Sequence, residues 1–389
     1  MKALFISISF LLLISCGVKE KQSRQVSFKK HILYDQFVTE GIATGDVNHD
    51  GLIDILSGPF WFEAPDWTRH EIRPVKTFDI TKGWSDSFLN FSLDVNKDGW
   101  IDFVRIDFPG TGAYWYENPQ NESGHWKEYL FDSTACNESP MLTDLDEDGS
   151  PELIFGSGNK EMKWFKLTGD STFWESHSLS AADAPGTHRF SHGLGSGDIN
   201  GDGRNDVMVV EGWWEAPEDR THSPWVFHKT ALGEPCAQMH TYDFDADGDN
   251  DVISSSAHNY GIWWHEQIKD HNGEISFVRH LIDSSFSQTH GAALADINAD
   301  GLPDLITGKR FFAHNGKDPG GMDPQVIYWF ELKRDEQNKP YWTPHLIDDS
   351  SGVGLQVIVE DINGNGIQDI LIANKKGIFY FEGQEVNPE

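Results

Sequence analysis

The residues best suited to chemistry in this chain are acids in a fixed pattern. Asp198-Ile-Asn-Gly-Asp-Gly-Arg-Asn-Asp206 reads D-x-N-x-D-G-x-x-D. Oxygen side chains fall at alternate positions, a Gly permits a sharp turn that a Cβ would disfavour, and a last carboxylate closes the set. A hard cation such as Ca²⁺ takes about six to eight oxygens, which a tight loop of this kind supplies. The pattern recurs seven times, at intervals of 45 to 65 residues. One copy could arise by chance in an acidic chain; seven in register do not. The expected ligands are Asp46, Asn48, Asp50 and Asp54 in the first loop, and Asp94, Asn96, Asp98 and Asp102 in the second. The third offers Asp144, Asp146, Asp148 and Glu152, and the fourth Asp198, Asn200, Asp202 and Asp206. The fifth offers Asp243, Asp245, Asp247 and Asp251, the sixth Asp296, Asn298, Asp300 and Asp304, and the seventh Asp361, Asn363, Asn365 and Asp369. The closing acid lies three residues after the Gly rather than six, so the loops are not EF-hands. About seven structural Ca²⁺ ions are expected, and the loop carboxylates that would hold them account for much of the formal net charge of −32. No basic patch stands out, which argues against a nucleic-acid partner.

Each loop is embedded in a larger unit. A short strand precedes it, as in Gly41-Ile42-Ala43-Thr44-Gly45, and an apolar strand follows, as in Val207-Met208-Val209-Val210. A third strand is aromatic and usually ends in an acid, as in Trp61-Phe62-Glu63, Trp213-Trp214-Glu215 and Trp329-Phe330-Glu331. A fourth has the form aromatic-x-x-His/Tyr-x-apolar, placing His70, Tyr129, His177, His228, His280 and His345 at one equivalent position. Four short strands per 45 to 65 residues is the signature of a propeller blade. The last unit stops at its third strand, near Phe381, while Phe28-Lys29-Lys30-His31-Ile32-Leu33 supplies the missing fourth-strand motif. The expected fold is all-β, a seven-bladed propeller over residues 26–389 closed by its N-terminal strand, which removes open sheet edges. The fourth-strand histidines repeat with the fold and are expected to be structural.

These features resemble the FG-GAP/VCBS repeat family of seven-bladed propellers over about residues 28–383. That family includes adhesion modules, non-catalytic surface proteins and carbohydrate-active enzymes. The later blades also resemble the propeller of aldos-2-ulose dehydratases, which eliminate water from keto-sugars, and some ulvan lyases share the architecture. Both comparisons rest on fold and general character.

The topology locates a site. The Asp loops occupy one face, joining the first and second strands. The start of each first strand and the end of each second strand surround the channel mouth on the opposite face. First strands bring Glu40, Glu138, His192, His240, His290 and Gln356 there. Second strands bring Glu211, His258, Lys309 with Arg310, and Lys375 with Lys376. The sixth unit has a long insert from Arg310 to about Gln325, with Phe311, Phe312, His314, Lys317 and Asp318. The repeat does not require these histidines and cations, which concentrate in the fourth to sixth units. Imidazoles near acids and a cationic pair can bind a transition metal, move protons or hold an anionic sugar. His192 or His290 is the expected base of an elimination, a carbon–oxygen lyase or dehydratase reaction on a keto-sugar or uronate-containing glycan. Lys309 and Arg310 are expected to neutralise the developing anion, with a transition metal at the mouth held by His240, His258 or Glu211. Glu40, Glu138, Glu211, Trp213, Phe311, His314, Gln356 and Lys375 are expected to contact substrate. The rival reading is a non-catalytic glycan- or protein-binding module. There is no G-x-S-x-G elbow, P-loop or dinucleotide fingerprint.

The N-terminus reads as targeting sequence. Lys2 precedes an apolar run from Ala3 to Ile14, too short to span a bilayer, and Leu13-Ile14-Ser15-Cys16 resembles a bacterial lipobox. The resemblance implies cleavage before Cys16, lipidation of its thiol and a lipid anchor in the cell envelope. Residues 16–25 would then be a tether. Cys136 and Cys236 fall in the third and fifth units, which are not neighbours, and are expected to be free, partly buried thiols.

Overall fold

The computed structural model describes residues 23–168 and 173–386. The expected leader, Cys16 and most of the tether lie outside the described residues. The chain forms seven four-stranded antiparallel sheets, and the described residues contain a single short 3₁₀ turn, Ala313–Gly316. Each sheet runs in chain order from the axis outward, except the seventh. There Val26–Tyr34 forms the outer strand, pairing antiparallel with Gly377–Glu385. The first and last strands of the ring therefore share one blade.

Burial follows strand position. Second strands such as Asp54–Ser57, Asp206–Val209 and Asp304–Gly308 are buried throughout, because both of their faces meet neighbouring blades. Outer strands such as Thr68–Glu71 are largely exposed. The core consists of apolar seams between blades. One seam joins Ile55 and Phe60 of the first blade to Leu371, Ile378 and Tyr380 of the seventh. Each such side chain, fully buried, contributes about 1.5–3 kcal/mol.

The outer-strand histidines form a repeated contact. His70, His228, His280 and His345 stack on Trp61, Trp213, Trp264 and Trp329 at ring-centroid distances of 4.2–4.5 Å. Nε2 of each meets the acid of the third strand, Glu63, Glu215, Glu266 or Glu331, at 2.7–2.9 Å. His31 repeats the arrangement on Tyr380 and Glu382 across the N- and C-terminal strands. Tyr129 substitutes on Trp115, its hydroxyl donating to Glu117 at 2.6 Å. These histidines are structural, as their periodicity implies. Cys136 and Cys236 are both free and buried.

The Asp loops all turn at the expected Gly, with φ between 81 and 100° from Gly51 to Gly366. The residue two positions earlier is also left-handed, including His49, Lys97, Glu147, Ala246 and Ala299, which the pattern did not signal. The closing acid has a further job. Both carboxylate oxygens of Asp206 accept backbone N–H groups, from Ile199 at 2.9 Å and Ala216 at 2.8 Å. Asp54, Asp102, Asp251, Asp304 and Asp369 repeat this clamp between the loop and the third strand. Burial pushes the Asp206 carboxyl up to about 7 and that of Asp304 to about 8.

Candidate active site

The mouth opposite the Asp loops gathers the residues that the repeat does not require. His192 precedes the inner strand of the fourth blade, His258 follows the second strand of the fifth, and His290 precedes the inner strand of the sixth. One ring nitrogen from each lies within 4.8 Å of the other two. His192 and His290 are buried, and His258 is partly exposed.

The hydrogen bonds fix the ring states. His192 Nδ1 lies 2.9 Å from the Phe190 carbonyl oxygen, and His290 Nδ1 lies 3.2 Å from that of Gln288. A carbonyl only accepts, so each ring carries a proton on Nδ1. The buried His290 Nε2 has no hydrogen-bond partner among the described residues, and the buried His192 Nε2 has only the Glu138 carboxylate beside it. His258 turns Nδ1 toward Asp318, 3.5 Å away, and stacks on His314 at 4.8 Å. His314 Nδ1 reaches the same Asp318 oxygen at 2.8 Å. Burial holds His290 well below the usual imidazole range, reinforced by Arg310 and the other two rings. His258 is also lowered, by burial and then by His192 and His314.

Glu138 borders the cluster, with Oε2 3.3 Å from His192 Nε2 and 3.9 Å from Arg310 Nη1. Burial pushes its carboxyl up, but the His192 contact and the charges of His192, Arg310 and His258 outweigh this and hold it low. Arg310 is buried and paired with the equally buried Glu40 at 2.5 Å. Its guanidinium lies 4.5 Å from the Trp84 ring centroid. Lys375 sits on the same ring at 4.0 Å, and burial pulls its ammonium down to about 8. A cavity of about 310 Å³ opens here, lined by Gly83, Trp84, His314, Asn315, Lys317 and Lys375. A larger cavity, about 790 Å³, lies elsewhere, between the first and second blades. It is lined by repeat residues such as Trp61, Glu63, His70 and Trp126 and lacks this convergence.

Several residues singled out from sequence stand apart from the cluster. His240 is half-buried farther along the channel, its ring 3.2 Å from the Ala292 carbonyl oxygen, and desolvation lowers it to about 4. Glu211 is exposed at its turn. Trp213 is buried under His228, not available as a sugar platform. The Gln356 amide is consumed by backbone, accepting from Ile42 and Asn90 N–H and donating to the Asn90 carbonyl. Lys309 is fully buried and donates to Ser287 Oγ at 3.1 Å and Gln288 Oε1 at 2.5 Å. It acts behind the site, because Gln288 in turn donates to Asp318 at 3.1 Å. Phe311 packs under Lys376 at 4.5 Å. Three residues of the mouth were missed from sequence as site residues, Trp84, Lys317 and Asp318. Trp84 lies outside the repeat, in the long link between the first and second blades, and that isolation was its only signal.

The Asp loops differ among themselves. Three carboxylates converge within 4.8 Å in the third loop (Asp144, Asp146, Glu152) and the fifth (Asp243, Asp245, Asp247). In the third, the Lys166 ammonium bridges Asp146 and Asp148. In the first, second, fourth and sixth, the Asn amide donates to the following Asp at 3.0–3.2 Å. The all-oxygen donor sets fit a hard cation, and the fifth loop fits it best because no side-chain cation competes for its three acids.

The chain matches the FG-GAP-like repeat over residues 144–209 and 243–307, which contain the third to sixth Asp loops. It therefore carries FG-GAP-like repeats on a seven-bladed β-propeller. Among solved structures, the lectin BP39L from Burkholderia pseudomallei aligns over 91% of this chain and 98% of its own, with a TM-score of 0.55 and 11% identity. A lectin from Agrocybe aegerita that recognises non-reducing terminal N-acetylglucosamine covers 85% of this chain and 82% of its own (TM-score 0.45, 16% identity). The rhamnogalacturonan lyase YesW covers 93% of this chain and 74% of its own (TM-score 0.43, 11% identity). The likeness at these identities extends to the fold alone. No curated protein sequence matches the chain.

Proposed function

We propose that this protein is a carbohydrate-directed lyase or dehydratase acting at the channel mouth. The observation that carries the reading is the convergence of His192, His258, His290 and Glu138 beside an aromatic and cationic cavity. Nothing in the repeat demands that convergence.

In the reaction proposed, a base at the cluster removes a proton from the carbon next to a carboxylate or carbonyl. The C–H electron pair becomes the new C=C bond, and the C–O bond on the adjacent carbon breaks. The leaving oxygen departs with its electron pair and takes a proton, so no oxidant or reductant is required. Neutral imidazole nitrogen and the Glu138 carboxylate are suitable proton acceptors near neutral pH. Lys317, exposed at the rim, replaces Lys309 and Arg310 as the cation facing the substrate anion, with Lys375 buried in the cavity wall, its ammonium toward the Ile80 and Phe312 carbonyls. Arg310 holds Glu138 and Trp84 in place from behind. The Trp84 ring, flanked by Arg310 and Lys375, supplies the aromatic wall of the cavity.

We further propose that the Asp loops carry structural Ca²⁺, that Cys16 is lipidated, and that the propeller is anchored in a bacterial cell envelope. The supports are the loop donor chemistry and the leader sequence. The binding-module reading draws support from the cavities between blades, where aromatic, acidic and imidazole side chains line each opening. Incubation with keto-sugars and with uronate-containing glycans distinguishes the two, monitored by the ultraviolet absorbance of the conjugated double bond. Turnover lost in His192→Ala and His290→Ala, with thermal stability nearly intact, supports the lyase. Saturable glycan binding with no unsaturated product from any such substrate would replace it with the binding module.

A further inference from the structure

We infer that His192, His258 and His290 form a three-imidazole centre for a divalent transition-metal ion, with Glu138 as its neighbouring carboxylate. The inference deepens the reading above and rests on the same site, but its argument is coordination geometry.

The nitrogens come from three separate blades, yet two of the rings are oriented by a hydrogen bond on the far side. Phe190 and Gln288 carbonyls fix Nδ1–H on His192 and His290. Asp318 lies 3.5 Å from Nδ1 of His258, close enough to take its proton in a hydrogen bond after a small shift. Metal-ligating histidines are characteristically held this way, the second nitrogen donating to a carbonyl or carboxylate. The rings of a water-filled polar lining would instead be free to use both nitrogens. Here the buried Nε2 of His290 has no hydrogen-bond partner among the described residues, and that of His192 has only the Glu138 carboxylate beside it.

The dimensions are compatible. An ion bound at about 2.0–2.1 Å needs tetrahedral ligand nitrogens roughly 3.3–3.4 Å apart. The observed spread is within 4.8 Å, so small ring rotations close the site. The donor set is rich in imidazole with at most one carboxylate, which suits Zn²⁺, Fe²⁺, Ni²⁺ or Cu²⁺ better than Ca²⁺ or Mg²⁺. Glu138, 3.3 Å from His192 Nε2, can complete the sphere or hold a metal-bound water. The centre differs from the set expected from sequence: His240 and Glu211 lie outside it. It also reassigns roles. His192 and His290 would become ligands, a bound ion would supply Lewis-acid polarisation of a substrate carboxylate or carbonyl, and Glu138 would be left as the proton acceptor.

Co²⁺ and Zn²⁺ are the probes. The full chain is stripped of transition metals in calcium-containing buffer, then titrated with Co²⁺ while visible d–d absorption is recorded, and bound Zn²⁺ is counted by elemental analysis. One Co²⁺ per chain with intense visible bands is expected, displaced by Zn²⁺. His290→Ala should abolish the bands, and Asp318→Asn, a partly exposed site that tolerates change, should weaken affinity about 10- to 100-fold. His271→Ala, on an exposed turn, should bind as the parent does. Absence of stoichiometric Co²⁺ or Zn²⁺ in the folded parent would overturn the centre, as would unchanged binding in both His290→Ala and Asp318→Asn. Metal binding without elimination would reject the lyase and keep the centre; elimination by a protein that binds neither Co²⁺ nor Zn²⁺ stoichiometrically would reject the centre and keep the lyase.

Discussion

Replacing Arg310 with Met should be among the most damaging single changes at the mouth, and the reason is Glu40. The two side chains are 2% and 1% exposed and paired at 2.5 Å. The other side-chain hydrogen bond to Glu40 is a long one, 3.4 Å, from the Ser85 hydroxyl. Met fills most of the vacated volume and keeps a favourable contact with Trp84, so packing loss is small. The dominant cost is a buried carboxylate without its partner, about 3–5 kcal/mol. That corresponds to roughly a hundred-fold or greater loss in the folded-to-unfolded ratio, at about 1.4 kcal/mol per factor of ten. Arg310→Met combined with Glu40→Leu removes both charges of the pair and should recover part of the loss, the remainder coming from Glu138, which also loses its Arg310 contact. Equilibrium urea unfolding followed by tryptophan fluorescence measures all the variants of the cycle. A single variant costing less than about 1 kcal/mol would refute the reasoning, as would a double variant as unstable as the single.

Other outcomes follow from the same structure. Deleting residues 26–34 removes the outer strand of the seventh blade and exposes the edge of Gly377–Glu385; the melting temperature should fall sharply, and an unchanged value would contradict the pairing. Chelation of Ca²⁺ should lower the melting temperature, and Asp243→Asn with Asp247→Asn should reduce the number of Ca²⁺ bound; equal calcium content in parent and variant would remove the fifth loop from the set. His240 titrates at about 4 in the fold against 6.5 ordinarily, so the unfolded chain binds its proton first. Its contribution to stability should therefore fall as pH drops from 6.5 toward 4, by up to about 3 kcal/mol, and His240→Gln should flatten the profile relative to the parent. Parallel profiles would refute that assignment. Lys375, lowered to about 8 by burial, should lose its charge as pH rises through that value. KM for an anionic substrate should rise above about pH 8 in the parent, and Lys375→Met should raise KM at lower pH and erase this dependence.

The repeat made the fold legible before any coordinate. Seven Asp loops, aromatic third strands and a displaced fourth-strand motif at His31 specify blade number and the place of the N-terminal strand, because those features are local and recur. The same regularity separated structural histidines, such as His228 on Trp213, from irregular ones. The sequence also indicated which end of the channel held the irregular residues, since strand direction alone assigns each loop to a face. It could not say which of them meet. His192, His258 and His290 lie 66 and 32 residues apart, and their convergence depends on how blades are rotated about the axis. His240 has the same chemistry and a neighbouring position in its strand, yet lies deeper and bonds to backbone. Gln356 and Lys309 appear as free functional groups in a sequence, but tertiary hydrogen bonds consume them. Trp84, invisible as part of any repeat, becomes the wall of the cavity because a long inter-blade link folds over the mouth. Local pattern determined the scaffold and the face. Packing across blades decided the site, because proximity, tautomer and exposure belong to contacts between residues far apart in the chain.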